Sequence, residues 1–213
     1  PAVVKGKAGS PYAIKDYYDV DPDMANSIPD RMKEFENLVK RSHKANLKVI
    51  IDFVPNHVAR QYKSDAKPEG VIDLGENDDQ NVAFNPQNNF YYIPGQQLQG
   101  EIDLHMYAPE AYVENPAKAT GNDKFDAWPS INDWYETVKL NYGIDYRDGS
   151  RHFAPVPNTW FKMRDILMYW ASMGIDGFRV DMAEMVPVEF WRWVIGQINM
   201  RYPSLVFIAE TYN

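Results

Sequence analysis

The sequence predicts an α/β fold built on a parallel sheet. Three observations carry this. Apolar runs at 48–54, 174–180 and 205–209 have the composition of strands buried on both faces. Amphipathic segments with a helical period precede or separate them. The order is helix, strand, long insertion, helix, strand, helix, strand, an alternation that demands parallel strands and right-handed crossovers. A barrel and a doubly wound sheet both satisfy it.

Residues 1–27 contain Gly6, Gly9, Ser10, Pro11 and Pro22 around Tyr12, Tyr17 and Tyr18, and read as a loop with embedded aromatics. At 29–45, Met32, Phe35, Leu38, Val39 and Ser42 share one face of a predicted helix, with Ser27 or Asp30 as its cap. Pro55 stops the strand that follows. Residues 58–157 are rich in Asn, Asp, Gln, Pro and Gly and keep no sustained period. So long a stretch is improbable as bare coil, so it is expected to be an inserted subdomain with short strands, candidates being 71–74 and 100–107. Periodicity returns at Asn158, a plausible cap, with Met163, Leu167, Trp170 and Ala171 as an apolar stripe ending at Gly174. Pro187 opens the last helix, whose Phe190, Val194 and Ile198 share a face, and Pro203 lies beyond its end. The expected divisions are 1–57, 58–157 and 158–213.

The 213 residues are 45% hydrophobic, enough for one sizeable core. A net charge of −8 with scattered Lys and Arg offers no basic stripe to neutralise phosphates, which argues against nucleic acid as a partner. With no cysteine there are no disulfides, thiolate metal sites or cysteine nucleophiles. No run of about 18 apolar residues is present, so no membrane-spanning helix is expected.

Chemistry concentrates at the strand exits. Asp181 follows one strand and Glu210 the next, with a single helix between. Neighbouring parallel strands lie roughly 4.8 Å apart, and a carboxyl pair about 5 to 5.5 Å apart is the geometry of a retaining glycosidase. Arg179 and Asp181, two residues apart, point to the same face. The guanidinium is expected to keep Asp181 ionised as a nucleophile, while the apolar approach 206–209 is expected to desolvate Glu210 and hold it protonated as a general acid. A buried ion pair tying strands together is the competing role for Arg179 and Asp181, but carboxyl ends of barrel strands carry active sites. Asp52 lies inside an apolar run and needs a partner, for which Arg179 is a candidate. Asn56 and His57 leave the same strand, where His57 is placed to bond a sugar hydroxyl and Asn56 to present a carbonyl to calcium. His43, His105 and His152 are read as structural. Trp128, Trp134, Tyr135, Tyr91 and Tyr92 are either stacking platforms for sugar rings or packing of the insertion. Acidic and amide side chains near Asp73, 77–81 and 122–126 offer calcium oxygens without matching the EF-hand loop.

Asp52-Phe53-Val54-Pro55-Asn56-His57, Gly177-Phe178-Arg179-Val180-Asp181 and Ala209-Glu210 together resemble three ordered signature regions of the α-amylase family, glycoside hydrolase family 13. The segment from Gly9 to Tyr18 also resembles the family's stretch ahead of its second barrel helix. The resemblance implies a (β/α)8 barrel with a domain B inserted after the third strand, and retaining cleavage or transfer at α-glucosidic bonds. By position it implies Asp181 as nucleophile, Glu210 as general acid and base, and Arg179 as the nucleophile's support. His57 and Tyr12 would line the sugar subsite next to the scissile bond, and Asn56 would be a calcium ligand. Where many starch-cleaving members carry Lys-His, this chain has Glu184-Met185. The expectation is a part of the barrel, about strands three to five, with little activity by itself, since the family's last signature aspartate belongs after Glu210. An α-glucan or oligosaccharide is the expected partner, and a non-catalytic carbohydrate-binding relative is the rival.

Overall fold

In the computed structural model, residues 3–5, 10–99, 112–130 and 132–212 are described. In chain order the strands and helices are β1 (Val3–Lys5), β2 (Ile14–Val20), α1 (Arg31–Lys44), β3 (Ile50–Phe53), β4 (His57–Ala59), β5 (Tyr92–Ile93), β6 (Ala117–Lys118), β7 (Thr137–Lys139), β8 (Ile144–Asp145), β9 (Ser150–Arg151), α2 (Asn158–Ser172), β10 (Gly177–Val180), α3 (Val188–Arg201) and β11 (Val206–Ala209).

The centre is a parallel sheet in the order β3, β10, β11. Its register sets Arg179 beside Asp52 on one side and Ile208 on the other, so these three side chains share a face. Behind the sheet, α2 and α3 bury their predicted stripes: Met163, Leu167, Phe190, Val194 and Ile198 are fully enclosed. Gly174 ends the turn after α2 at φ +87, a conformation that costs glycine nothing. Pro157 and not Asn158 caps α2, because the Asn158 carboxamide accepts a hydrogen bond from Asn89.

Three local readings need correction. The opening segment is not all loop: β2 is a buried seven-residue strand paired antiparallel with β1. Its Asp16 accepts hydrogen bonds from Ser64 Oγ and the Tyr18, Asp65 and Ala66 N–H groups, and its Asp19 is clasped by Arg31 at 2.5 and 2.7 Å, so polar residues that read as loop are satisfied inside. Residues 71–74 form no strand. There Asp73 and Glu76 carboxylates take the Ser64 and Asp73 N–H groups that a ladder would need. On α1, Phe35 and Val39 are buried but Leu38 is 45% exposed, so the apolar face is narrower than its sequence stripe. The candidate strand 100–107 and His105 lie outside the described residues.

The excursion from 58 begins and ends at one place. β4 pairs antiparallel with β7, His57 opposite Lys139, and Leu140 N–H bonds the Asn56 carbonyl at 3.0 Å. Short pairs β5–β6 and β8–β9 stiffen the segment between and beyond. Among the described residues no helix is long and apolar enough to cross a membrane.

Candidate active site

At the carboxyl end of the sheet one guanidinium holds three carboxylates. Arg179 Nη1 donates to Asp52 at 3.0 Å and to Asp181 at 3.2 Å, and Nη2 meets Glu210 Oε1 at 2.6 Å. The strand register produces this cluster: Asp52 lies across from Arg179 on β3, Asp181 is two residues on, and Glu210 leaves β11 alongside. Asp52 thus has the partner that its place in an apolar run required.

The two acids sit in different surroundings. Asp181 is buried at 6% exposure, its N–H bonded to the Phe53 carbonyl. Glu210 accepts from Met182 N–H at 3.2 Å and from Tyr212 Oη at 2.9 Å. Met182 adopts a left-handed conformation, φ 46, unusual for a non-glycine residue and found where a site over-determines its backbone. Burial, and next the charge of Glu210, push the Asp181 carboxyl up to about 6 against the pull of Arg179. Glu210 is held below its ordinary value by the Met182 N–H, then by Tyr212 and Arg179. The two shifts are linked: the Glu210 charge raises Asp181, and Arg179, bonded to both carboxylates, lowers both. The directions of the two shifts are the reverse of the sequence expectation, which has Arg179 lowering Asp181 and an apolar approach raising Glu210. For Glu210 the reason is its donors, the Met182 N–H first and then Tyr212. Val206, Ile208 and Glu210 alternate onto one face of β11, and Val206 and Ile208 are half exposed, so apolar neighbours in sequence do not cover the carboxylate.

A cavity of about 400 Å³ opens over the acids, lined by Ser10, Tyr12, His57, Trp134, Tyr135, Glu136, Arg179, Asp181, Glu210 and Tyr212 among others. The structure therefore brings Tyr12 and His57 to the acids. The Tyr12 ring lies 5.9 Å from the Arg179 guanidinium carbon. His57 is buried, with its ring 5.2 Å from that of Trp134 and bonded to the Tyr12 backbone. Burial, reinforced by the charge of Lys139, pushes its imidazole down to about 4, leaving it neutral near pH 7. Of the aromatic candidates, Trp134 and Tyr135 line the cavity. Tyr91 and Tyr92 are buried in packing, and Trp128, 60% exposed, is not part of the lining. His43 bonds Asp176, and His152 bonds Ser150 Oγ.

Asn56 is engaged elsewhere. Its Nδ2 donates to the Gly121 carbonyl at 2.7 Å and lies 3.2 Å from His57 Nδ1, and its Oδ1 accepts from the Lys139 ammonium at 2.8 Å. Lys139 also meets Asp123 Oδ1 at 2.6 Å. A calcium ion takes six to eight oxygens at about 2.3–2.6 Å, whereas here the oxygen offered for it already serves an ammonium. The residues present do not fit calcium at Asn56. Among the described residues no group of three or more His, Asp or Glu side chains is arranged to hold a metal.

Sequence reasoning missed Tyr212, Met182, Gly121 and Lys139. Gly121 is required by close approach: a Cβ there would stand 2.6 Å from Thr137 Oγ1 and 2.8 Å from His57 Cβ. The only available signal was the adjacency of Tyr212 to Glu210.

The family description "Alpha amylase, catalytic domain" matches residues 3–199. Among curated relatives, an alpha-1,4-glucan:maltose-1-phosphate maltosyltransferase of Cereibacter sphaeroides is 23% identical over 94% of this chain and 36% of its own length. Alpha-amylase 3 of Dictyoglomus thermophilum is 21% identical over 95% of this chain and 33% of its own. Among solved structures, an alpha-amylase from Lactobacillus plantarum superposes with a TM-score of 0.59 at 26% identity, over 99% of this chain and 36% of that one. The chain thus spans about a third of the length of these relatives.

Proposed function

The chain belongs to the α-amylase catalytic-domain family, its fold being part of a (β/α)8 barrel, and from that premise we propose that Asp181, Glu210 and Arg179 perform retaining chemistry on α-glucosidic bonds. The observation that carries this is the single guanidinium shared by Asp52, Asp181 and Glu210 at the sheet's carboxyl end, beneath a cavity with aromatic walls. A structural ion pair needs one carboxylate per guanidinium, whereas this cluster gathers more acids than one cation neutralises.

In this reading an Asp181 oxygen attacks the anomeric carbon while Glu210 gives its proton to the departing glycosidic oxygen, breaking the carbon–oxygen bond. Glu210 then removes a proton from the incoming hydroxyl, which attacks the same carbon and releases Asp181. Near pH 7 a carboxyl at about 6 is mostly ionised, so Asp181 already carries the nucleophile's charge, whereas Glu210, held below its ordinary value, lacks the proton a general acid needs. Substrate must therefore draw Glu210 off Arg179 and Tyr212, so that its carboxyl rises and takes up a proton beside the Asp181 anion. Arg179 then remains to hold that charge. Tyr12 and His57 are proposed to line the sugar position next to the scissile bond, since both border the cavity.

The incoming hydroxyl belongs to water in hydrolysis and to a second sugar in transfer. The maltosyltransferases among the relatives favour transfer, with an α-glucan as acceptor, and the α-amylases favour hydrolysis. Turnover by the 213 residues alone is expected to be low, because the β11 face carrying Glu210 is open to solvent.

The test is covalent trapping. Purified full-length protein treated with a fluorinated α-glucosyl fluoride should gain one glycosyl mass on the peptide containing Asp181. A label on any other carboxylate, or none under conditions where substrate is consumed, sinks the assignment. Product analysis on a maltooligosaccharide, with and without maltose 1-phosphate, separates transfer from hydrolysis.

A further inference from the structure

We propose that the Lys139 ammonium is this protein's built-in structural cation, pinning the excursion between β4 and β7 to the exit of β3 in place of a divalent metal, so that its stability is indifferent to calcium.

Lys139 ends β7 directly across from His57 and reaches back to the residue before it. Only 2% of its side chain is exposed. An ammonium so enclosed is tolerated only when its donors are met, and here they are. Asn56 Oδ1 lies at 2.8 Å, Asp123 Oδ1 at 2.6 Å, and the Tyr146 ring centroid at 5.4 Å. These partners come from the β3 exit, the 119–124 turn and the region after β7, the pieces that must be held together for Trp134 and His57 to face the cavity. Asp123 is built for the contact. It adopts φ +67, the left-handed region disfavoured for a residue with a Cβ, in a turn closed by its N–H on the Thr120 carbonyl. The turn lies tight against β4, since Gly121 has no room for a side chain beside His57.

A metal cannot share this place. A divalent ion near Asn56 Oδ1 would meet a like charge within a few ångströms and would compete for the same two oxygens. The lysine supplies the positive charge covalently, at fixed stoichiometry. This inference does not depend on the catalytic assignment, because it concerns stability and metal response.

The test is thermal unfolding of the purified full chain, followed by circular dichroism. Wild-type protein passed through EDTA should keep its Tm, and excess calcium chloride should leave it unchanged. A Tm lowered by EDTA and restored by calcium overturns the proposal. Lys139→Met should lower Tm by roughly 5 to 15 °C, because it strands Asp123 and Asn56. Asp123→Asn, milder since Asp123 is partly exposed, should lower it by about 2 to 5 °C and covers the case in which the lysine variant does not fold. An unchanged Tm in either variant overturns the proposal.

Discussion

Strand β10 carries an aspartate at each end, and the two have opposite characters. Asp176, just before it, accepts hydrogen bonds from Val49 N–H at 2.8 Å, Lys48 Nζ at 2.9 Å and His43 Nε2 at 2.8 Å. Its partial burial works upward, but these bonds outweigh it and bring the carboxyl down to about 2. Asp181, just beyond the strand, is enclosed and faces Glu210, and is pushed up to about 6. One acid is comfortable with its charge and the other is not. The amino end of the strand is arranged for stability and the carboxyl end holds a charge at a cost, as expected where a site is preorganised for reaction.

The contrast breaks most completely on substitution. Asp181→Asn removes the proposed nucleophile and should lower kcat/KM on the order of a thousandfold or more without lowering Tm, as measured by initial rates and thermal unfolding. Asp176→Ala should do the reverse. Loss of a carboxylate with three donors costs about 2 to 4 kcal/mol by urea titration, with kcat/KM retained below the unfolding transition.

Acidity separates the two acids further. A depressed carboxyl stabilises the fold above its unfolded value near 4, and that stability disappears as pH falls toward about 2. The deficit of the Asp176 variant should therefore shrink in acid. A raised carboxyl holds its proton longer in the folded state, so stability falls as pH climbs from about 4 to about 6. The Asp181 variant should lack that decline. Because the working form of the pair carries one proton, kcat/KM should fall as pH rises through about 6, a limb that a pH–rate profile reads directly. A limb near the ordinary carboxyl range would contradict the raised Asp181 carboxyl.

The smallest effect is expected from Tyr212→Phe. Removing one donor from Glu210 raises its carboxyl, so the low-pH limb, on which the pair gains its second proton, should move to higher pH with kcat within roughly tenfold. An unmoved limb would show that Tyr212 does not hold Glu210 in the free enzyme.

Much of this was legible in the chain because strand periodicity is simple. Two-residue spacing put Arg179 and Asp181 on one face, and Asp52 needed a partner because its neighbours are apolar. The directions of the two carboxyl shifts were not legible, since sequence shows which residues are apolar neighbours but not that Val206 and Ile208 face solvent or that Met182 N–H reaches Glu210. β2 was missed because Asp16 and Asp19 are satisfied by distant groups, Ser64 and Arg31 among them. Lys139 meets Asn56 across 83 residues without a period to bridge them.

The β4–β7 pairing has a consequence for how such a molecule diversifies. The excursion leaves at His57 and comes home at its cross-strand partner Lys139, so its ends stay about 5 Å apart whatever lies between them. Doubling such a connection costs only about 0.6 kcal/mol of closure entropy. Residues can therefore be added to or removed from the wall over the acids at little entropic cost, while the strand exits that hold Asp52, Arg179 and Asp181 stay in register.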